Sequence, residues 1–521
     1  IKPLTYTAAF EKGWTPATLI WDVPSEFPPS GDPNDTRPPY VPVNYDGRFH
    51  GPVTVRAALA NSFNIPAVKT LQFIGVYDNP DNPSGGFISM AKRLGITTLT
   101  RPDYGLALTL GGGEVSLLEF TGAYATFANN GLRVPPYAIT KIVDYSGNIV
   151  YQYQPPPPQQ VIRPEHAYLI TSILSDNEAR ALMFGTDSVL NLPFPAAAKT
   201  GTTNDFRDNW TMGYTPDLAV GVWVGNADYT PMEHTTGVTG AAPIWSDFMK
   251  AAIKQLTGDN PTPFVKPAGV VERVICAVSG TEPSQWCPSQ RSEFFAADQP
   301  PLPKEQDLWT KVLFDTWTGL KASNACQGFT KEDFAINVTD PWAIKWLKDN
   351  PDGQAWAQDN GFPSPIRTVP TRECKSDDPH PEIAINSPGE GQTITTNPLD
   401  IVGKIDATSD FNSYRLDYGL GNDPVEWKRL SRSNTPVSQP DKIYSWDISE
   451  LPAGPVTLRI LMRGFQDNSA EFRIHINLQV PTPTPTPVPT PTTTPTLFPT
   501  QAPSQTPAVT PTSTATTTPA P

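Results

Sequence analysis

The sequence predicts an α+β domain with an antiparallel sheet, followed by a loop-rich cysteine-containing extension, an all-β sandwich and a disordered Pro/Thr tail. Three observations predict this order. Apolar residues at helical spacing come first, β-rich runs follow them, and strand-like alternation returns beyond residue 380 after a stretch crowded with prolines, tryptophans and cysteines.

Val53 to Asn61 places apolar residues at helical spacing, and Pro66 to Ile74 does so again after a break at Ser62 to Ile65. Ser116-Leu117-Leu118-Glu119 fits a capping box, in which Ser116 accepts from a backbone N–H and Glu119 reaches back to the cap. The helix it opens runs through Tyr124 and Phe127 and stops near Asn130-Gly131. Ala196 to Lys199 reads as an edge strand, with small residues before a charged one. Trp210 to Tyr214 and Leu218 to Val224 complete the expected sheet.

These elements define a first domain at 1–255 and leave an extension at 256–380. Beyond it, alternation at Ile383 and Ile385, at Tyr414, Leu416 and Tyr418, at Val456, Leu458 and Ile460, and at Phe472, Ile474 and Ile476 predicts a sandwich at 381–480. The tail at 481–521 consists of Pro/Thr repeats without a charge, so it is expected to be an extended, disordered spacer.

A chain of 521 residues exceeds the usual size of one core, which fits several folded units. Its formal charge of −14, with no lysine-arginine cluster, disfavours nucleic acid as a partner. No run of eighteen apolar residues occurs, so the sequence itself offers no membrane span. Cys276, Cys287, Cys326 and Cys374 are too widely spaced for zinc knuckles, and the five histidines form no H-E-x-x-H pair. Metal is therefore not expected, and an even cysteine count suggests disulfides in an oxidising, extracytoplasmic setting.

Three polar islands carry the candidate chemistry: Lys2, then Ser62-Phe63-Asn64, then Lys199-Thr200-Gly201-Thr202. In the active-serine pattern S-x-x-K the nucleophile precedes its lysine by three positions, which falls two residues ahead of Ile1. A neutral Lys2 amine would take the serine proton, and a second cation at Lys199 would help to keep it neutral. Ser62 is placed to relay a proton to a leaving amine, and Asn64 to position a substrate amide. Lys199, Thr200 and Thr202 suit a terminal carboxylate, Gly201 leaves room for a ligand backbone, and the Thr202 N–H offers an oxyanion donor. Each island also has a plain reading: Lys2 as a terminal lysine, Asn64 as a helix cap, and K-T-G as a common tripeptide.

Lys2-Pro3-Leu4-Thr5-Tyr6, Ala60-Asn61-Ser62-Phe63-Asn64, Leu110-Gly111-Gly112-Gly113-Glu114-Val115 and the run from Lys199 to Trp210 together resemble the transpeptidase domain of class A, bifunctional penicillin-binding proteins. The resemblance covers about residues 1 to 255. It implies a serine β-lactamase/transpeptidase-like fold. It also implies a D,D-transpeptidase that acylates its serine with a peptidoglycan stem peptide ending in D-Ala-D-Ala, without a cofactor. β-Lactam antibiotics acylate the same serine in that family, and a glycosyltransferase domain and membrane anchor stand upstream. Carried onto this chain, Lys2 is the base, Ser62 the relay, Asn64 a positioner, and Lys199, Thr200, Gly201 and Thr202 the carboxylate and oxyanion side. Without the upstream serine, the chain as it stands is expected to form no acyl-enzyme. A D,D-carboxypeptidase or serine β-lactamase would differ only in the acceptor. A non-catalytic wall-binding scaffold would make the sandwich and stalk its working parts.

Overall fold

The computed structural model describes residues 1–80, 83, 85–203, 206–233, 235–258, 260–326, 328–465 and 468–479, and these form two compact units. The first holds residues 1–381 with two short later segments, and the second holds the remainder of the chain beyond 381. The tail expected at 481–521 lies outside the described residues.

In the first unit, the helix Lys2–Glu11 is buried from Lys2 through Phe10. It has little amphipathic character because it is wrapped by other helices, Asn64–Ile74 and Pro164–Leu174 among them. Pro3 sits in its first turn, where no N–H is needed. Leu4, Phe10, Leu59, Leu71, Phe127 and Ile170 belong to one buried cluster around it.

The helix expected from Val53 runs instead over Val55–Ala60. Val53 belongs to the strand Gly51–Thr54, which pairs antiparallel with Leu19–Asp22, and the Thr54 hydroxyl then caps the helix by accepting from the Ala57 N–H. Its successor starts at Asn64, two residues before Pro66, which is tolerated in the first turn. At Leu117–Ala128 the Ser116 hydroxyl accepts from the Glu119 N–H as expected. Glu119 does not reach back to the cap, because its carboxylate accepts from the Thr97 N–H and hydroxyl and from the Thr98 hydroxyl.

Ala197–Thr202, Asp208–Thr215 and Leu218–Gly225 form a three-stranded antiparallel sheet with Ala197–Thr202 at its edge. Lys199 lies opposite Met212 and Gly201 opposite Trp210. A methyl group at Gly213 would lie 2.3 Å from Trp245 of the helix Ala241–Thr257, and one at Gly221 would lie 2.3 Å from Thr121 of Leu117–Ala128. Gly213 faces Val220 while Gly221 faces Met212, so the two helices cover opposite faces of the sheet.

The extension is more regular than its composition predicts. It contains the hairpins Val270–Cys276 with Gln290–Ala296 and Trp309–Asp315 with Thr330–Ile336, and the helices Pro341–Asp349 and Pro351–Asp359. Both helices begin on prolines of the stretch expected to be loop-rich, capped by Asp340 and Asn350. The tryptophans Trp309, Trp346 and Trp356 and the side chains of Trp21 and Phe362 fall in one cluster, so the extension packs into the same unit as residues 1–255. Cys276 bonds to Cys287, and Cys326 to Cys374.

The described part of the second unit contains strands and no helix. One sheet has the order Pro381–Ser387, Leu399–Ala407, Val437–Trp446. The other runs Gln392–Ile394, Ser469–Leu478, Gly454–Gly464, Phe411–Leu420, Lys428–Ser433. Leu416, Val456, Leu458, Ile460, Ile474 and Ile476 are buried, whereas Ile383, Ile385 and Phe472 are half-buried. The strand at 399–407 also alternates, with Leu399, Ile401 and Ile405 buried, whereas the one at 437–446 carries a polar run from Ser438 to Lys442 that hides its period.

Candidate active site

Three elements converge on a cleft of about 740 Å³. Lys2 comes from the start of the first helix, Ser62 from the link between two helices, Asn64 from the first position of the second of these, and Lys199 from the edge strand. The link is tight: the Ser62 N–H donates to the Leu59 carbonyl and the Phe63 N–H to the Ala58 carbonyl. Ser62 turns the chain with φ at +62°, in the left-handed region that costs a side-chain-bearing residue about 1–2 kcal/mol.

That turn sets Ser62 Oγ between two amines. Lys2 Nζ is 3.2 Å from Ser62 Oγ, and it donates to the Ser62 carbonyl at 2.5 Å and to Asn64 Oδ1 at 2.7 Å. Lys199 Nζ is 2.7 Å from the same Oγ and donates to the Thr200 carbonyl at 2.6 Å. Asn64 does not cap its helix; Phe63 holds the cap position, while the Asn64 amide donates to the Val43 carbonyl and accepts from Lys2.

Both lysines are almost wholly buried, at 8% and 6% exposure. Burial, then the charge of Lys199, pushes the Lys2 amine well below its ordinary value, against an opposing pull from Asp22. Burial, then the charge of Arg180, brings Lys199 down to about 7. Desolvation is expensive for an ammonium, so the cleft favours one neutral amine beside one charged one.

The rest of the edge strand shapes the cleft wall. Thr202 Oγ1 accepts from the Gly237 N–H at 2.9 Å, leaving its own proton to donate. A methyl group at Gly201 would meet only Trp210 Cβ within 4 Å, at 3.7 Å, so the strand is open to an approaching chain there. Thr200, Gly201 and Thr202 all line the cleft with Lys199.

Sequence reading missed Arg180 and Asn61. Arg180 is buried, donates to the carbonyls of Leu174 and Ala198, and supplies the charge that, after burial, depresses Lys199. The Asn61 amide donates to the Ala57 and Ala179 carbonyls and accepts from the Met183 N–H, anchoring the link on its far side. Arg180 sits in no motif and Asn61 stands beside Ser62 without a role of its own in the sequence reading; their roles depend on partners more than a hundred positions away or on backbone carbonyls, which leave no trace in composition.

Residues 1–250 match the family described as penicillin binding protein transpeptidase domain, and residues 266–304 match that described as penicillin-binding protein 1A, C-terminal domain. Penicillin-binding protein 1A of Neisseria lactamica is 35% identical over 275 residues, covering 52% of this chain and 32% of that protein. Penicillin-binding protein 2D of Bacillus subtilis is 32% identical over 343 residues, covering 61% and 47%. Among solved structures, penicillin-binding protein 1A from Haemophilus influenzae superposes with a TM-score of 0.48 at 26% identity, over 58% of this chain and 48% of that one. The chain thus spans less than half the length of the curated relatives named here.

Proposed function

We propose that this chain, whose residues 1–250 match the penicillin-binding-protein transpeptidase family, carries the acyl-transfer machinery of a peptidoglycan D,D-transpeptidase. The observation that carries the proposal is Ser62 Oγ, placed 3.2 Å from Lys2 Nζ and 2.7 Å from Lys199 Nζ.

The nucleophile is a serine three residues before Lys2, on the same helical face. Neutral Lys2 takes the hydroxyl proton as the serine oxygen attacks the carbonyl between two D-alanines. The oxyanion forms against the backbone N–H groups of Thr202 and of the serine, donors typically worth about 3 kcal/mol each. The proton then passes from Lys2 through Ser62 to the departing D-alanine amine, leaving an acyl-serine ester. An amine on a neighbouring strand attacks that ester, loses its proton along the same route and regenerates the serine. Charged Lys199, with the Thr200 and Thr202 hydroxyls, holds the terminal carboxylate, and Asn64 orients the peptide amide. A β-lactam acylates the same serine because its ring amide mimics the scissile bond.

In this reading, the enzyme works in the cell envelope, outside the cytoplasmic membrane, and is held there by an upstream anchor. The two-sheet unit near 381–480 is an immunoglobulin- or fibronectin III-like spacer, an analogy of fold alone. Labelling of the serine-bearing protein by a fluorescent penicillin tests the enzyme against a scaffold: a labelled band is expected, and its absence favours the scaffold. Incubation with a stem peptide and an added amine tests transfer. The cross-linked product is expected, and free tetrapeptide alone would replace the transferase with a carboxypeptidase.

A further inference from the structure

Behind Ser62 and Asn64 lies a polar cluster that the mechanism above does not use. Asp22, fully buried at the end of the strand Leu19–Asp22, accepts from the Asn44 amide N–H2 with its two oxygens at 2.9 and 2.7 Å. It also accepts from the His50 backbone N–H at 3.1 Å and faces His50 Nδ1 at 2.6 Å. Asn44 passes the contact on, since its Oδ1 accepts from the Asn64 N–H at 2.7 Å. His50 does so through its ring, stacked on Phe63 with centroids 4.0 Å apart and planes 18° apart.

A carboxylate only accepts, so Asp22 dictates which end of the Asn44 amide faces it. With the N–H2 held by Asp22 and by the Arg48 carbonyl, the amide oxygen has to face Asn64. His50 has carboxylates at both ring nitrogens, Asp22 at 2.6 Å and Asp46 at 3.1 Å. Burial works against its charge, but those two partners win and raise its pKa, which favours the protonated ring between them. Lys2 and Lys69 also feel the Asp22 charge, as does the buried Tyr6 phenol.

We propose that Asp22 is a positioning residue: through Asn44 and His50 it locks the Ser62–Phe63–Asn64 turn in the left-handed geometry that sets Ser62 Oγ between the two amines. The strain at Ser62 needs such bracing, because a residue held in a sparsely populated conformation persists only where its surroundings over-determine it. The inference rests on reading the cleft as an acyl-transfer site.

Stopped-flow acylation by a fluorescent penicillin, in the protein carrying a serine three residues before Lys2, tests it. No acylation in the unsubstituted protein would sink the acyl-transfer reading rather than this inference. Asp22→Asn and Asn44→Ala are each expected to lower the first-order acylation rate constant by about 10- to 100-fold, the scale of a displacement near 1 Å, with little change in the pre-covalent dissociation constant. Combined, they should lose no more than the worse single variant, because they act along one path. The acid limb of the pH–rate profile should also move to lower pH in Asp22→Asn, since Asp22 opposes the depression of Lys2. If Asp22→Asn does not fold, His50→Gln, on a half-buried side chain, is expected to lower the same rate constant through Phe63. A folded variant with unchanged rate constant and unchanged acid limb, or fully additive losses in the pair, overturns the assignment.

Discussion

Arg56 and Glu293, 237 positions apart, meet in the interior: Arg56 Nε donates to both carboxylate oxygens at 3.0 and 2.8 Å, and Nη2 donates to Oε1 at 2.6 Å. Glu293 is 2% exposed and sits in the extension hairpin, whereas Arg56 belongs to the helix that leads into Ser62. Burial opposes the Glu293 charge, yet Arg56 and Arg291 hold its carboxyl below the ordinary range. The extension is therefore welded electrostatically to the element that presents the Ser62 hydroxyl.

Removing one partner weakens the hold on the other. Glu293→Gln should cost up to about 3 kcal/mol in urea unfolding, because the buried guanidinium loses its bidentate carboxylate and keeps only Asp176, at 3.1 Å, as a charged partner. Glu332→Gln, which breaks the exposed Lys311–Glu332 pair, should cost less than about 1 kcal/mol. Equal losses in the two variants would refute the weld.

Backbone strain and chemistry separate at Ser62. Ser62→Ala keeps the left-handed strain and loses the hydroxyl, whereas Ser62→Gly loses both. Thermal melts should show the glycine variant more stable than the alanine variant by about 1 kcal/mol. Penicillin acylation should fall by about 10²-fold or more in both, the usual contribution of a positioned proton carrier.

Lys199 makes stability depend on pH. With its folded pKa near 7 and its ordinary value 10.5, the unfolded chain holds a proton between those limits that the folded chain has released. Stability from this residue therefore rises as pH climbs from about 7 to about 10.5 and is flat below. Unfolding free energies across that range should lose this slope in Lys199→Met. A slope identical to that of the unsubstituted protein would place the depressed lysine elsewhere.

Lys2→Met removes the proposed base without adding a charge to the interior. Acylation by penicillin should drop by about 10²- to 10⁴-fold. Retention of the unsubstituted rate would reassign the base to Lys199.

Much of this molecule was legible from its residues. Thr211 and Val222 lie in strands that their β-branched neighbours announced, Ser116 capped the helix its spacing predicted, and the islands at Lys2, Ser62 and Lys199 stood out by order alone. These are local signals, set by side-chain period and by hydrogen bonds within a few positions. The extension was less legible, because Pro341 and Pro351 open helices through caps and then pack tryptophans from distant segments. Asn64 looked like a cap until Lys2 and Val43 claimed its amide.

The residues by themselves determined which groups this protein brings to its chemistry and in which order along the chain. Only the tertiary structure decided that one hydroxyl stands between two amines, that burial and Arg180 lower the proton affinity of Lys199, and that Asp22 braces the turn from behind. The reason is physical. Side-chain period and capping act over a few residues, whereas desolvation and charge–charge interaction depend on what the folded chain places within a few ångströms.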